Sequence, residues 1–382
     1  MPLQRRVLFS STLPKESLHP ASNNTLLSII KFAADIGFKT RTPRLPRRKS
    51  LGVLDYYAEL SRSFLVSCDV FLTAYPYICG SIFSDNPLRT LDRNVVRFLR
   101  RLRPERPSAI LFIVDLPIEQ AYAASGTSKL VDGEANTVER EFFENFDVLC
   151  VFNDAMKRAI MHRHKILAEK FVEFEILDHA TTFVPPQEPR RRPPPNGRWK
   201  IAYAGNYSKK YVGDWIESLP ECGAIQYEMF GLGWEWLSAL NRSDISNNGF
   251  LRDEGLLRHL SRNSDFGIIN PPSDAWASYY NYGTTSKMGT YLAAGLPILV
   301  SSKCEYISSL VAKYKVGISF DKLDEIPWLV SSLSRSDYEL MRESCLVLGE
   351  KVRSGYFFKR AINLAIEKTD HGNSKNGLQI YQ

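Results

Sequence analysis

The sequence predicts two doubly wound α/β domains, each built on a mainly parallel sheet. The chain has 382 residues, more than a single hydrophobic core usually holds. In both halves, apolar strand-like runs alternate with amphipathic helical stretches, which is the pattern of a parallel sheet covered by helices. A Pro- and Arg-rich stretch, VPPQEPRRRPPPNGR at 184–198, separates the halves and predicts an extended linker.

Strands and helices alternate along the first half. The predicted strands are 6–11, 70–74, 109–114 and 148–152, and the predicted helices are 24–38, 91–102, 137–145 and 154–170. The last two strands are continuous apolar runs, which is typical of strands buried on both faces of a parallel sheet.

The alternation restarts in the second half. The predicted strands are 199–205, 225–230, 266–270, 297–301 and 317–320, and the predicted helices are 211–218, 254–262, 286–294, 323–334, 336–351 and 356–368. We therefore expect an N-terminal domain at 1–184, a linker at 185–198 and a C-terminal domain at 199–355. A terminal helix at 356–368 and a disordered polar tail at 369–382 complete the prediction.

Composition narrows the classes of protein. No apolar run of roughly 18 residues predicts a membrane-spanning helix, and the first apolar stretch is too short for a signal peptide, so we expect a cytoplasmic protein. The six cysteines lie far apart and the six histidines show no ligand spacing. The sequence therefore predicts reduced thiols and no metal site.

Charge is distributed unevenly. Residues 1–198 hold 29 Lys and Arg against 22 Asp and Glu, a net +7, whereas the rest of the chain is neutral. Such asymmetry fits an acidic partner, namely an anionic membrane surface, a lipid diphosphate or nucleic acid. An ordinary solvated basic surface explains it equally well.

One segment of the second half is suited to bind an anion. Thr284, Thr285 and Ser286 precede a predicted helix, and Lys287 lies in its first turn. A lysine there opposes the helix dipole, which is easier to understand if an anion lies nearby. Free N–H groups, hydroxyls and an ammonium together can hold a diphosphate, although a lysine directed into water is the simpler alternative.

Other candidate ligand contacts follow the first two strands of that half. Gly205 and Asn206 end the first strand, with Lys209 close behind, and Phe230 and Gly231 end the second. A glycine permits close approach of the backbone, and an aromatic ring can stack on a base, although plain turns use the same residues. An aromatic segment then leads toward the helix and includes Trp276, Tyr279, Tyr280 and Tyr282.

A candidate catalytic base lies in the first half. Asp115 follows the buried strand 109–114, where a carboxylate can accept a proton from an acceptor hydroxyl. Capping the following helix is the simpler role for Asp115. Glu119 is a reserve candidate.

The sequence of residues 280–300 resembles the donor-binding region of GT-B glycosyltransferases. The most similar branch is the glucosyltransferase 3-like and galactofuranosyltransferase-like one, in which a Tyr/Asn-rich loop runs into a lysine and a Tyr-Leu helix. Here these are Tyr280, Asn281, Lys287 and Tyr291-Leu292. The similarity extends through 199–320 at the level of pattern, and in the first half it is only architectural. It implies a GT-B-like fold of two Rossmann-like domains facing a cleft.

The resemblance also implies roles for residues. Lys287 would contact the donor diphosphate, and Thr284, Thr285 and Ser286 would line the nucleotide pocket. At the position that Thr290 occupies in this sequence, many GT-B enzymes have a glutamate that binds the ribose. Because a threonine is a weaker acceptor, the ribose contact and the nucleotide are less firmly predicted than the diphosphate contact.

The expected function is therefore sugar transfer from a nucleoside-diphosphate sugar, with UDP as the expected nucleotide. We expect a metal-independent hexosyltransferase without a further cofactor. The expected acceptor is a hydroxyl of a polysaccharide, a lipid-linked glycan or a glycoprotein, with the basic half at the inner membrane face. A nucleotide-sugar epimerase of the same fold remains an alternative. So does a non-catalytic basic protein that binds nucleic acid or a partner, although no nucleic-acid-binding motif occurs.

Overall fold

A computed structural model describes residues 6–9, 20–41, 69–75, 107–125, 133–187, 197–207, 212–233 and 235–377. The chain divides into two compact units. The first unit comprises Met1–Glu175 and Tyr356–Gln382, and the second comprises Ile176–Gly355. Within these ranges, each unit contains one six-stranded sheet.

The first unit has a parallel sheet of order β2-β1-β3-β4-β5-β6. Its strands are β1 (Arg6–Phe9), β2 (Phe38–Arg41), β3 (Val70–Tyr75), β4 (Ser108–Ile113), β5 (Val148–Val151) and β6 (Phe171–Glu173). The residues of β3 and β5 are buried throughout, as continuous apolar runs predict. Strands β2 and β6 were not predicted, because three or four residues are too few to show a period.

Helices cover this first sheet. They are α1 (Pro20–Asp35), α2 (Pro117–Ser125), α3 (Gly133–Glu144) and α4 (Asp154–His164), with a short 3-10 turn at Ala168–Lys170. The predicted helix 154–170 is therefore too long. It ends where Lys165 takes a left-handed conformation, with φ of 55°. The helix predicted at 91–102 lies outside the described residues.

The C-terminal helix belongs to the first unit. Helix α11 (Tyr356–Gly377) packs Phe358 against Phe112 of β4, with ring centroids 4.9 Å apart, and Lys368 Nζ donates to the carbonyl oxygen of Phe171 over 3.1 Å. The helix extends beyond the predicted end at residue 368, and the part of the predicted tail at 369–377 is helical. Thr369 is buried, so the chain is still packed where polar composition alone indicated a tail.

The second unit has a parallel sheet of order β12-β11-β10-β7-β8-β9. Its strands are β7 (Trp199–Asn206), β8 (Ile225–Leu232), β9 (Ile245–Asn247), β10 (Phe266–Ile269), β11 (Ile298–Ser301) and β12 (Gly317–Phe320). Counted within the unit, this is the strand order 3-2-1-4-5-6 of a Rossmann sheet. The order reverses between β7 and β10.

The helices that are described in full in the second unit are α5 (Asp253–Asn263), α6 (Asp274–Tyr280), α7 (Ser286–Ala293), α8 (Glu305–Tyr314), α9 (Ile326–Ser332) and α10 (Arg335–Ser354), with 3-10 turns at Leu237–Leu240 and Leu323–Glu325. Of the predicted helix at 211–218, Val212 is helical, residues 213–218 form turns, and residue 211 lies outside the described residues. Gly213 has a φ of 67°, and a Cβ there would lie 2.6 Å from the carbonyl oxygen of Pro272. A left-handed residue cannot continue an α-helix.

Candidate functional site

The candidate site lies at the carboxyl end of β7. Ligands of open parallel sheets bind outside the carboxyl ends of the strands, where the strand order reverses. In the second unit this point lies between β7 and β10. Gly205 and Asn206 are the last residues of β7, and the segment after β10 leads through α6 into α7.

Lys287 is the central charged residue of this site. It lies in the first turn of α7, and its Nζ is 5.0 Å from the centroid of the Tyr203 ring. The side chain is partly buried, and burial lowers the pKa of Lys287 from 10.5 to about 8. Among the described residues, no carboxylate acts on this charge. Lys287 is thus a partly desolvated ammonium without an acidic partner in that part of the chain.

Two glycines make room for this lysine and for the neighbouring strand. A Cβ on Gly205 would lie 2.9 Å from Cε of Lys287 and 3.0 Å from the Tyr203 hydroxyl. Gly231 of β8 pairs with Gly205, and a Cβ on Gly231 would lie 1.7 Å from the Gly205 carbonyl oxygen. Gly205 therefore admits the lysine, while Gly231 allows close contact between the strands.

Tyr291 fixes α7 to the sheet. Its buried hydroxyl accepts a hydrogen bond from the Ala204 amide over 3.1 Å. Its ring packs on Gly267 of β10, where a Cβ would come within 2.5 Å of the ring. The tyrosine of the Tyr-Leu pair is therefore a buried structural residue that sets the height of α7 above β7 and β10.

The hydroxyl residues around the start of α7 occupy different environments. Thr284 Oγ1 accepts a hydrogen bond from the Leu177 amide over 3.1 Å, and the Thr290 hydroxyl donates to the Ser286 carbonyl oxygen over 3.0 Å. The Thr285 side-chain oxygen is buried and has no hydrogen-bond partner among the described residues. Ser286 is partly buried. Thr285 thus has unused hydrogen-bonding capacity, whereas the Thr290 proton is already donated within the helix.

The other predicted contacts vary in exposure. Phe230 is buried against His259, with ring centroids 4.8 Å apart, and so offers little surface to a ligand. Asn206 and Tyr282 are partly exposed, and Tyr282 lies 6.4 Å from Tyr279 between ring centroids. Lys209 lies outside the described residues. The ligand contacts assigned to these residues stay predictions.

Sequence reasoning missed two residues around Lys287, namely Tyr203 and Cys304, whereas Tyr280 belongs to the predicted aromatic segment. Tyr203 lies beneath the ammonium, and Tyr280 and Cys304 are close enough to affect the electrostatics of this cluster. Burial raises the pKa of Cys304 to about 12, so its sulfur stays a thiol at neutral pH. Strand alternation could have revealed Tyr203, because residues 203 and 205 share one face of β7.

The two candidate carboxylates lie in the first unit. Asp115 is partly buried between β4 and α2, and its catalytic role stays a prediction. Glu119 lies in the first turn of α2, where burial raises its pKa. It pairs with Arg163 at 2.5 Å, which in turn lies 3.8 Å from Glu139. This ion-pair network gives Glu119 a structural role.

Metal-ligand groups and membrane-spanning helices do not occur in the part of the chain that the structure describes. No three His, Cys, Asp or Glu side chains there are grouped as a metal site requires. No helix in those ranges is both long and apolar enough to cross a membrane. The free cysteines are Cys150, Cys222, Cys304 and Cys345, while Cys68 and Cys79 lie outside the described ranges.

Solved glycosyltransferases share this architecture. Sucrose-phosphate synthase from Thermosynechococcus elongatus superposes with a TM-score of 0.62 at 12% identity, over 99% of this chain and 100% of that one. An alpha-glucosyltransferase in complex with UDP and a 13-mer DNA superposes with a TM-score of 0.58 at 12% identity, over 95% and 100% of the two chains. The chain therefore has the GT-B fold, built from two Rossmann-like domains.

Sequence comparison narrows the class. Residues 201–365 match the family described as "Glucosyltransferase 3-like, C-terminal domain". Glucosyltransferase 3 of Streptococcus gordonii is 27% identical over 211 residues, 52% of this chain and 57% of the relative. The beta-1,6-galactofuranosyltransferase WbbI of Escherichia coli (strain K12) is 21% identical over 173 residues, 44% and 49% of the two chains. The matches thus span about half the length of these relatives, and the predicted resemblance is confirmed.

Proposed function

We propose that this chain transfers a sugar from a nucleoside-diphosphate sugar to a hydroxyl acceptor. The carrying observation is Lys287, a partly buried ammonium at the start of α7 without a carboxylate partner among the described residues. Removing a cation from water is costly unless an opposite charge compensates it. A diphosphate at this helix terminus supplies that charge, and two transferases are among the relatives of this sequence.

The proposed chemistry follows from the same residues. The bond between the sugar and the diphosphate breaks, the acceptor oxygen bonds to the sugar carbon, and the acceptor proton passes to a base. Lys287 and the helix N–H groups stabilise the negative charge that develops on the leaving diphosphate, which is work that a bound metal does elsewhere. Thr285 can donate its unused hydroxyl proton to the same group. We propose Asp115 as the base.

UDP is the proposed nucleotide, because an alpha-glucosyltransferase of the same fold is solved with UDP. Gly205, Asn206, Tyr282 and Ser286 are the proposed neighbours of the donor. For the acceptor we propose a glycan on a polysaccharide, lipid or glycoprotein. The net charge of +7 within residues 1–198 suits an anionic membrane surface near that acceptor.

Calorimetry tests the assignment of Lys287. Wild-type protein should bind UDP, and Lys287→Ala should weaken that binding by roughly 10- to 100-fold, the worth of a charge-assisted hydrogen bond. The affinity for uridine should stay unchanged. Lys313→Ala, which removes an exposed lysine of the same unit, serves as the control. Equal losses for UDP and uridine would contradict the role of Lys287.

A second comparison tests the function itself. Wild-type protein is incubated with a panel of UDP-sugars and, separately, titrated with a DNA oligonucleotide. We expect slow release of UDP from at least one sugar donor and no oligonucleotide binding. Binding of the oligonucleotide without binding of UDP would contradict the proposal.

A further inference from the structure

The chain passes between the two compact units at two places. The first crossing follows Glu175 and the second follows Gly355. Both residues have left-handed backbone conformations, with φ of 77° for Glu175 and 74° for Gly355. Glycine adopts this region readily, but glutamate does so only when its surroundings hold it there. The first crossing is therefore a constrained segment.

Hydrogen bonds on both sides hold the first crossing. Within the first unit, the Glu175 amide donates to the Phe152 carbonyl oxygen over 3.0 Å. Within the second unit, the Leu177 amide donates to Thr284 Oγ1 over 3.1 Å. The Leu177 carbonyl oxygen also lies against α7, since a Cβ on Gly289 would be 2.8 Å from it. Leu177 thus contacts Thr284, which lies two residues ahead of α7, and Gly289 within α7.

The second crossing contacts the other end of the same helix. Arg353 Nη1 donates to the Ala293 carbonyl oxygen at the end of α7 over 3.0 Å. A cation at that position also interacts favourably with the negative end of the helix dipole. The two crossing segments are joined as well, because the His179 amide donates to the Val352 carbonyl oxygen over 3.3 Å.

We propose that Thr284 and Arg353 are positioning residues that tie the helix of Lys287 to both chain crossings, so that a bound donor diphosphate stiffens those crossings. The proposal rests on the donor role of Lys287 proposed above. Thr284 acts through Leu177 and Arg353 through Ala293, at opposite ends of one eight-residue helix. Binding couplings are reciprocal. Disrupting either the Leu177–Thr284 or the Arg353–Ala293 hydrogen bond must therefore also weaken the binding of the diphosphate.

Hydrogen exchange on the full chain, with and without UDP, measures this coupling. In wild-type protein, UDP should slow amide exchange at 281–295 and also, at least threefold, at 174–179 and 352–357. Thr284→Val removes the acceptor at nearly constant volume and should abolish the protection at 174–179, with UDP affinity reduced severalfold. Thr284→Ser keeps the acceptor and should restore both.

A second variant, with its own controls, tests the hydrogen bond between Arg353 and Ala293. Arg353→Ala should abolish the UDP-induced protection at 352–357. Arg335→Gln on the same helix and Ser309→Ala on α8 change exposed side chains and should behave as wild type. If Arg353→Ala does not fold, the Thr284→Val and Thr284→Ser pair decides the matter.

The outcomes separate the two proposals. Protection at 281–295 with unchanged exchange at both crossings would overturn the coupling and leave the donor site standing. Protection at the crossings that survives Thr284→Val and Arg353→Ala would overturn the positioning roles. Absence of any UDP binding would overturn the proposed function, and the coupling with it.

Discussion

Gly205 leaves the space that the end of the Lys287 side chain occupies. A Cβ built on Gly205 would lie 2.9 Å from Cε of Lys287, closer than such carbons approach one another. The carboxyl end of β7 and the first turn of α7 therefore meet through a residue without a side chain. This contact relates the Gly-Asn pair and the lysine, which lie far apart in the sequence.

Gly205→Ala should weaken UDP binding by about tenfold, or about 1.4 kcal/mol, because the added methyl group displaces the lysine ammonium. The fold should persist, since the nearest atom belongs to the end of a flexible side chain and the Tyr203 hydroxyl, at 3.0 Å, needs to move by only a few tenths of an ångström. Gly223→Ala is the matched control, because a Cβ there meets nothing within 4 Å. Calorimetry with UDP measures both variants. Equal affinities for the two would show that the contact does not position Lys287.

UDP binding should depend on pH through Lys287. Burial lowers its pKa to about 8, so the free protein holds the ammonium below pH 8 and loses it above. A diphosphate prefers the ammonium, so affinity should be constant below that pH and fall by up to about tenfold per pH unit above it. Titrations at pH 7, 8 and 9 measure this. Lys287→Arg stays charged and should remove the fall, and an unchanged fall in that variant would assign it to another group.

Tyr291→Phe should destabilise the second unit by about 1 to 3 kcal/mol, because the buried Ala204 amide loses its acceptor. All six tryptophans lie in Ile176–Gly355, so their fluorescence during urea unfolding reports on this unit. Leu340→Ala, at an exposed leucine of the same unit, should change stability by less than about 0.5 kcal/mol. A similar small change for Tyr291→Phe would mean that water replaces the lost acceptor.

Gly355→Ala and Gly255→Ala should shift stability in opposite directions. Gly355 ends α10 with φ of 74°, so alanine there should cost about 1 to 2 kcal/mol. Gly255 lies in α5, where an added Cβ would meet nothing within 4 Å, so alanine should stabilise by about 0.5 to 1 kcal/mol. Urea unfolding followed by tryptophan fluorescence compares them. Destabilisation by both substitutions would show that packing, rather than backbone conformation, decides the outcome.

Much of the fold could be predicted from hydrophobic pattern. Strands such as β4 and β5 are continuous apolar runs, because a strand that is buried on both faces has apolar residues at every position. The strands β2, β6 and β9 are too short to show a hydrophobic period. They are recognised only by their pairing with a neighbouring strand. Gly213, within a predicted helix, has a left-handed backbone and lies too close to the Pro272 carbonyl oxygen for a side chain, and no local pattern shows this.

The candidate site could be predicted only where its residues are consecutive in the sequence. Lys287 and the hydroxyl residues ahead of it are consecutive, so their pattern and its family resemblance are local. The Tyr203 ring beneath the ammonium and the thiol of Cys304 come from other strands and loops. Phe230 packs on His259, which the sequence did not indicate, because strand alternation alone does not tell which face a helix will cover. Its ligand contact stays a prediction.

The sequence by itself determined the two α/β domains, the lysine at the start of α7 and the resemblance to GT-B transferases. Each of these depends on a pattern of residues that are consecutive in the chain. Tertiary structure alone decided that the C-terminal helix packs on the first unit, through contacts such as Phe358 with Phe112. It also decided that Thr284 contacts Leu177 of the first crossing, and that Arg353 of the second crossing contacts Ala293 at the end of α7. Such contacts join residues distant in the chain, and they form only when packing brings them within a few ångströms.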